Sequence, residues 1–197
     1  LIAHQPGWHT YWKNPGDSGL PTELTWQLPA GLDAGEIAWP VPEKIRIDQL
    51  ANYGYAGTVL LPVPLQVAPQ FQPPLSVAGL GDGAAGGTVN VRLHASWLAC
   101  KLECIPEEGD FTLQLPVRGS TALHAAAFDA ARAAQPQALA ADSGTARVDG
   151  ERLQLRVTGL PAAARGQTLQ LFPESPAVLQ HAAESGSGWT QAWQGDV

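Results

Sequence analysis

Cys100 and Cys104 are the chain's only sulfur nucleophiles, and the sequence contains no methionine. Their setting, Cys100-Lys101-Leu102-Glu103-Cys104, is open to three chemistries. A structural disulfide is the plainest and is common in exported β domains. Chain entropy speaks against it, because closing a loop of about five residues removes only about 2 kcal/mol from the unfolded state. Staples across a sandwich close long loops and gain more. A metal site is the second: two thiolates with His94, or with His9 or His4, would suit Cu(I) or Zn(II). A closed zinc site wants four ligands, and the paired CxxC or HxxxH spacings are missing here. The third is a redox-active dithiol, which needs two sulfurs close enough to join, one of them open to attack, in a loop that tolerates both states. A short loop with Leu98 and Ala99 before it and Ile105-Pro106 after it meets that description. The CxxxC spacing alone does not decide among these, since it is not the thioredoxin CxxC and its surroundings read as β rather than βαβ. Glu103, Glu107 and Glu108 place negative charge around the pair, which raises thiol pKa values, although Glu108 reads as solvated surface charge.

The elements that hold this pair read as strands. Trp8, Thr10 and Trp12 alternate with His9, Tyr11 and Lys13; Leu24, Trp26 and Leu28 with Glu23, Thr25 and Gln27; Ile45 and Ile47 with Lys44, Arg46 and Asp48. Val89, Val91 and Leu93 alternate with polar residues that continue to His94, and Phe111, Leu113 and Leu115 repeat the pattern. A period of two marks a strand with one buried face. Turn signals separate these runs: Asn14-Pro15-Gly16-Asp17-Ser18-Gly19, Pro29-Ala30-Gly31, Pro40 to Pro42, Pro73-Pro74, and Gly79 to Gly87. Thr58 to Val67 is β-rich but holds Pro62 and Pro64, so it reads as an edge or bulged strand. Counts of 21 Gly and 17 Pro in 197 residues are high for a helical protein. The fold expected is all-β, an immunoglobulin-like antiparallel sandwich.

One helix is expected, capped by Ser120-Thr121, running through Ala122 to Ala134 and stopped by Pro136. Beyond it Leu153, Leu155 and Val157, then Leu169, Leu171 and Phe172, read as a second β region that has few residues to complete a sandwich. Glu184 to Gly188 reads as a loop, with Trp189 and Trp193 on one helix face or on separate strands. The expected division is 1–118 for the sandwich carrying the cysteines, 119–137 for a helical linker and 138–197 for the second β region. Eleven Lys and Arg against 18 Asp and Glu give a net charge of -7, with no basic patch, which excludes nucleic acid as a partner. No apolar run reaches the roughly 18 residues of a membrane span. The start at Leu1, without Met, is expected of a processed or excised piece of a longer exported protein.

Two longer stretches go beyond spacing. Ala95-Ser96-Trp97-Leu98-Ala99-Cys100-Lys101-Leu102-Glu103-Cys104-Ile105-Pro106-Glu107-Glu108 and Gly7-Trp8-His9-Thr10-Tyr11-Trp12-Lys13-Asn14-Pro15-Gly16-Asp17-Ser18-Gly19 resemble the amino-terminal periplasmic region of the DsbD and ScsB family of transmembrane thiol:disulfide interchange proteins. Trp39-Pro40-Val41-Pro42 and Tyr53-Gly54-Tyr55 extend the match over roughly residues 7 to 118. Residues 138 to 197 look like the further β region of the longer, ScsB-like members.

The resemblance implies a periplasmic domain of a membrane-embedded parent. It takes electrons from that parent's thioredoxin-like domain and reduces periplasmic thioredoxin-fold proteins, with no bound cofactor and no metal. It implies that Cys104 forms the mixed disulfide with the partner and Cys100 resolves it, and that Asn52-Tyr53-Gly54-Tyr55 matches a loop whose aromatics, Tyr53 and Tyr55, cap the sulfurs. Three residues between the cysteines, where DsbD has five, suit ScsB-like members. Trp97 flanks the pair and would sense its redox state. The rival readings are a copper-binding or copper-tolerance domain using the sulfurs and a histidine, and a structural docking sandwich.

Overall fold

The computed structural model describes residues 1–72, 88–117 and 124–194. Its strands are β1 (Ile2–Ala3), β2 (His9–Gly16), β3 (Glu23–Gln27), β4 (Leu32–Ala34), β5 (Glu43–Ile47), β6 (Leu50–Ala56), β7 (Thr58–Val59), β8 (Leu65–Val67), β9 (Thr88–Cys100), β10 (Cys104–Pro116), β11 (Gly144–Asp149) and β12 (Arg152–Val157). One helix, α1 (Ala125–Ala133), and a 3-10 turn at Ala162–Ala164 complete the regular structure among the described residues. The all-β architecture expected from the alternation is the one formed. The turn signals Pro73-Pro74 and Gly79 to Gly87, and the expected cap Ser120-Thr121, lie outside the described residues.

The principal sheet has the order β10-β9-β2-β6-β5, and β3 shares the inner edge of β9 with β2. All its pairings are antiparallel. Small ribbons, β1 with β7 and β4 with β8, lie beside it. The core falls in two clusters. Trp12, Tyr53, Tyr55 and Val59 pack with Ile2, Trp39, Leu61 and Phe172. Leu32, Val89 and Val91 pack with Trp26, Leu28, Phe71 and Leu115. Thr58 to Val67 becomes the two short strands β7 and β8, as its prolines, which cannot donate to a ladder, require.

In β2 the alternation misleads: His9, Thr10, Tyr11 and Trp12 are all buried, so both faces of the strand are covered. In β10 the pattern is real but its face is only partly covered: Leu115 packs on Leu32, Val89 and Val91, whereas Phe111 and Leu113 are half exposed. Glycine is required where β6 crosses β2, since a Cβ on Gly54 would lie 2.0 Å from the Thr10 carbonyl oxygen.

Beyond α1, β11 and β12 make one hairpin. The described residues that follow are irregular, and Trp189 takes part in an isolated bridge with Ser185 rather than in a helix. Part of this segment runs back over the principal sheet. Phe172 meets Trp12 and Tyr53 edge-on, Asn14 Nδ2 donates to the Pro173 carbonyl at 2.8 Å, and Lys13 pairs with Glu174. His181 Nδ1 lies 3.0 Å from the Tyr53 hydroxyl, and Arg46 donates to the Ala182 carbonyl at 2.9 Å. The strap therefore completes the aromatic core rather than building a separate one. Removing the Phe172 ring leaves a cavity between Trp12 and Tyr53, so Phe172→Ala should lower stability by about 2–3 kcal/mol, read as a fall in urea midpoint at unchanged slope.

Candidate functional site

β9 and β10 pair over 13 residues, Thr88 with Pro116 at one end and Cys100 with Cys104 at the other. Directly opposed residues bring their side chains to one face, so this register alone joins the two sulfurs. The pair is disulfide-bonded, with Cα atoms 4.1 Å apart. Lys101, Leu102 and Glu103 form the turn, in which the Lys101 N–H donates to the Glu103 carbonyl at 3.0 Å. Lys101 Nζ also donates to the Pro6 carbonyl at 3.2 Å, tying the hairpin tip to the turn that precedes β2.

The two sulfurs stand in different surroundings. Cys100 is 1% exposed, whereas Cys104 is open to solvent and Leu102, at the crest of the turn, is 97% exposed. Cys100 lies opposite His9 in β2, and His9 opposite Ala56 in β6. His9, Cys100 and Tyr11, two residues along, thus share a face. The His9 and Tyr11 rings meet edge-on at 5.2 Å, and the Tyr11 hydroxyl donates to Cys104 Sγ at 3.8 Å.

The Pro-Gly-Asp-Ser-Gly turn covers this face. Gly19, at φ +101°, lies flat on Tyr11, where a Cβ would come within 2.2 Å of the ring. Asp17 Oδ2 accepts the Ala51 N–H at 2.8 Å, and the Ser18 N–H and hydroxyl both donate to Asn52 Oδ1 at 3.1 Å. Burial raises the Tyr11 pKa, which keeps the phenol a donor toward sulfur. Burial first, and the charge of His4 second, lower the His9 pKa. His9 is 4% exposed, and its Nε2 is buried with no hydrogen-bond partner among the described residues.

Tyr53 and Tyr55 lie elsewhere. Tyr55 is opposite Thr10, so it and Tyr53 point to the face of the sheet away from His9 and Cys100. Tyr55 donates to the Pro40 carbonyl at 2.8 Å and stacks on Trp39, while Tyr53 meets Trp12, Phe172 and His181. The aromatic at the sulfurs is Tyr11, so the cap expected of Tyr53 and Tyr55 is corrected: both are core residues beneath the sheet. Their two-residue spacing puts Tyr53 and Tyr55 on one face, but which face depends on the Thr10–Tyr55 register, which is not visible before the fold is.

His94 is on the exposed side of β9, as expected, 2.9 Å from Asp110 Oδ1 and 3.9 Å from Glu108 Oε2. At about 3.4 Å per residue it lies about 20 Å along the strand from Cys100. Among the described residues no three His, Cys, Asp or Glu side chains are grouped to hold a metal ion. Glu107 accepts from Trp97 Nε1 at 2.8 Å, so of the three glutamates only Glu103 belongs to the turn itself.

An antiparallel β domain that carries a cysteine pair at a hairpin tip, one sulfur covered and the other open, is the class these features define. The chain belongs to the family described as thiol:disulfide interchange protein DsbD, N-terminal, whose model matches residues 2–116. Among solved structures, the N-terminal periplasmic domain of ScsB from Proteus mirabilis shares the fold, with a TM-score of 0.50 and 21% identity, over 78% of this chain and 54% of that one. The chain thus spans about half the length of that structure. No curated protein matches the sequence.

A neutral, buried His9 has a pH signature. Its folded pKa lies below the ordinary value of 6.5, so between those two values the unfolded chain binds a proton that the folded chain refuses. The stability this contributes is present above pH 6.5 and is lost as pH falls through the folded value. His9→Gln should remove that loss, and urea midpoints of the two proteins should converge or cross between pH 7.5 and pH 5.

Proposed function

We propose that this chain is a periplasmic thiol:disulfide interchange domain that passes electrons through Cys100 and Cys104. It takes them from a membrane-linked thioredoxin-like domain of its parent protein and delivers them to periplasmic thioredoxin-fold partners. The observation that carries this reading is the asymmetry of the pair, a buried Cys100 bonded to an exposed Cys104. Thiol–disulfide exchange passes through a mixed disulfide, which requires one sulfur that a partner can reach and a second that only its neighbour can. Cys104 fits the first role and Cys100 the second. Family membership supports the chemistry, and the periplasmic character of the Proteus mirabilis domain supports the compartment.

Leu102 and Ile105, exposed on either side of Cys104, offer a small apolar surface for docking. The aromatic beside the pair is Tyr11, whose hydroxyl reaches Cys104 Sγ and whose ring is covered by the turn at Gly19. In functional terms the division at residues 118 and 137 leaves all the sulfur chemistry in the first part, while the third part supplies the strap. For copper, His94 faces Asp110 and Glu108 instead of the sulfurs, and although His9 lies opposite Cys100, no three His, Cys, Asp or Glu side chains are grouped to hold a metal ion among the described residues.

The test is equilibration in thiol buffers of known poise, with Trp97 fluorescence or alkylation as the readout. An exchange pair should titrate between about -120 and -270 mV, whereas a structural disulfide stays oxidised to below about -300 mV. With an oxidised thioredoxin-fold disulfide isomerase as probe, reduced Cys100→Ser should accumulate a mixed disulfide through Cys104, and Cys104→Ser should form none. A pair that stays oxidised below that range would defeat the reading.

A further inference from the structure

We propose that His9 takes the proton from Cys100 in the step that resolves the mixed disulfide, an inference that rests on the exchange role proposed above for the cysteine pair. Three observations place it there. His9 is the direct cross-strand partner of Cys100, which brings their Cβ atoms to within about 4.5–5.5 Å on one face. Its ring is nine-tenths buried and edge-on to Tyr11, whose hydroxyl reaches Cys104 Sγ, so imidazole, phenol and both sulfurs form one cluster. Its Nε2 is buried and unpartnered among the described residues. A buried polar atom without a partner costs about 1–3 kcal/mol, and such sites persist where the group has a task.

Chemistry supplies the task. Cys100 is covered, and burial away from cations holds a thiol protonated, while only the thiolate attacks. An ordinary thiol with a pKa of about 8.5 is only a few per cent ionised at pH 7. In the forward step Cys104 thiolate has already displaced one sulfur of the partner's disulfide and is bonded to the other. The Cys100 proton passes to His9, and the Cys100 thiolate attacks Cys104 Sγ. The Cys100–Cys104 bond forms as the bond from Cys104 to the partner breaks. The partner sulfur leaves as a thiolate with the electron pair, and the proton on His9 goes out to it or to solvent. Two electrons have moved to the partner and the pair is oxidised. When the pair is reduced the same imidazolium protonates the departing Cys100.

Other titratable groups around His9 do not duplicate it. His4, which follows β1, has both ring nitrogens engaged, with the Gly57 carbonyl at 2.7 Å and Thr10 Oγ1 at 3.0 Å. Tyr11 is held protonated by burial. β6 presents Ala56. In the hairpin turn Lys101 is directed to the Pro6 carbonyl, and Glu103 is exposed.

The test is a stopped-flow reaction of the reduced 197-residue chain with an aryl disulfide, 5,5′-dithiobis(2-nitrobenzoate). Attack by Cys104 releases one thionitrobenzoate, and closure by Cys100 releases the second in a first-order phase. His9→Gln should slow the second phase about ten- to a hundredfold and leave the first within about twofold. In the unaltered protein, closure should rise with a limb below pH 6.5, the side to which burial moves the His9 imidazole, instead of following a single thiol near pH 8.5. That profile decides the matter by itself should His9→Gln fail to fold. A second phase unchanged in His9→Gln, or a profile that follows a thiol alone, overturns the role of His9 while leaving exchange intact. Absence of a second release from the unaltered protein overturns the exchange reading, and the role of His9 with it.

Discussion

Thirteen consecutive cross-strand pairs hold β9 against β10, and the last of them is Cys100 with Cys104. Register in an antiparallel ladder is all-or-none, because a slip of one residue turns every side chain to the other face. The sulfurs are therefore brought together by the whole length of the hairpin and would lie opposite one another with the bond open. A disulfide that closes a turn already held by its strands adds little constraint to the unfolded chain, about 2 kcal/mol by loop-closure entropy. Opening it costs the fold correspondingly little, which is what a pair that cycles between dithiol and disulfide requires.

The same hairpin explains why β2 is buried on both faces. On one side Thr10 and Trp12 face the aromatic core with Tyr53, Tyr55 and Phe172. On the other, His9 and Tyr11 lie under Cys100, Cys104 and the turn at Gly19. A single strand thus carries the foundation of the fold on one face and the floor of the site on the other. The strap from Phe172 to Glu184 closes the first face, and Asn14, 1% exposed, links the two by donating to the Pro173 carbonyl from the start of the turn that leads to Gly19. A loss of packing under Trp12 would reach the sulfurs through one strand's width.

The strands on β3, β9 and β10 were legible in the sequence because their alternation is undisturbed, and the cysteine pair was legible from residue type and from the two long motifs. What escaped were facts of register. His9 and Tyr11 alternate with apolar neighbours just as solvent-facing residues do, and nothing local shows that a hairpin some 90 residues away covers them. Tyr53 and Tyr55 fail in the opposite sense: they sit in a motif beside the site in sequence, yet a two-residue period sends them to the other face of the sheet. Phe111 and Leu113 show the limit of pattern for burial, since an apolar face needs a covering layer that alternation does not supply. The strap could not have been found from periodicity, as it has none.

Charge around the pair also depends on which way side chains turn. By sequence, Glu103, Glu107 and Glu108 crowd the sulfurs and would oppose thiolate formation at both. In the fold Glu107 is engaged by the Trp97 indole and Glu108 lies toward His94, three and four pairs down the ladder from the tip. The groups left beside the sulfurs are Glu103 in the turn, the Tyr11 phenol as a donor to Cys104, and the His9 imidazole opposite Cys100. The exposed sulfur thus has a hydrogen-bond donor that favours negative charge on it, and the covered sulfur has a base but no fixed cation. Under the proposed exchange role, that arrangement would order the chemistry: Cys104 would hold a thiolate while waiting for a partner, and Cys100 would remain a thiol until the mixed disulfide has formed.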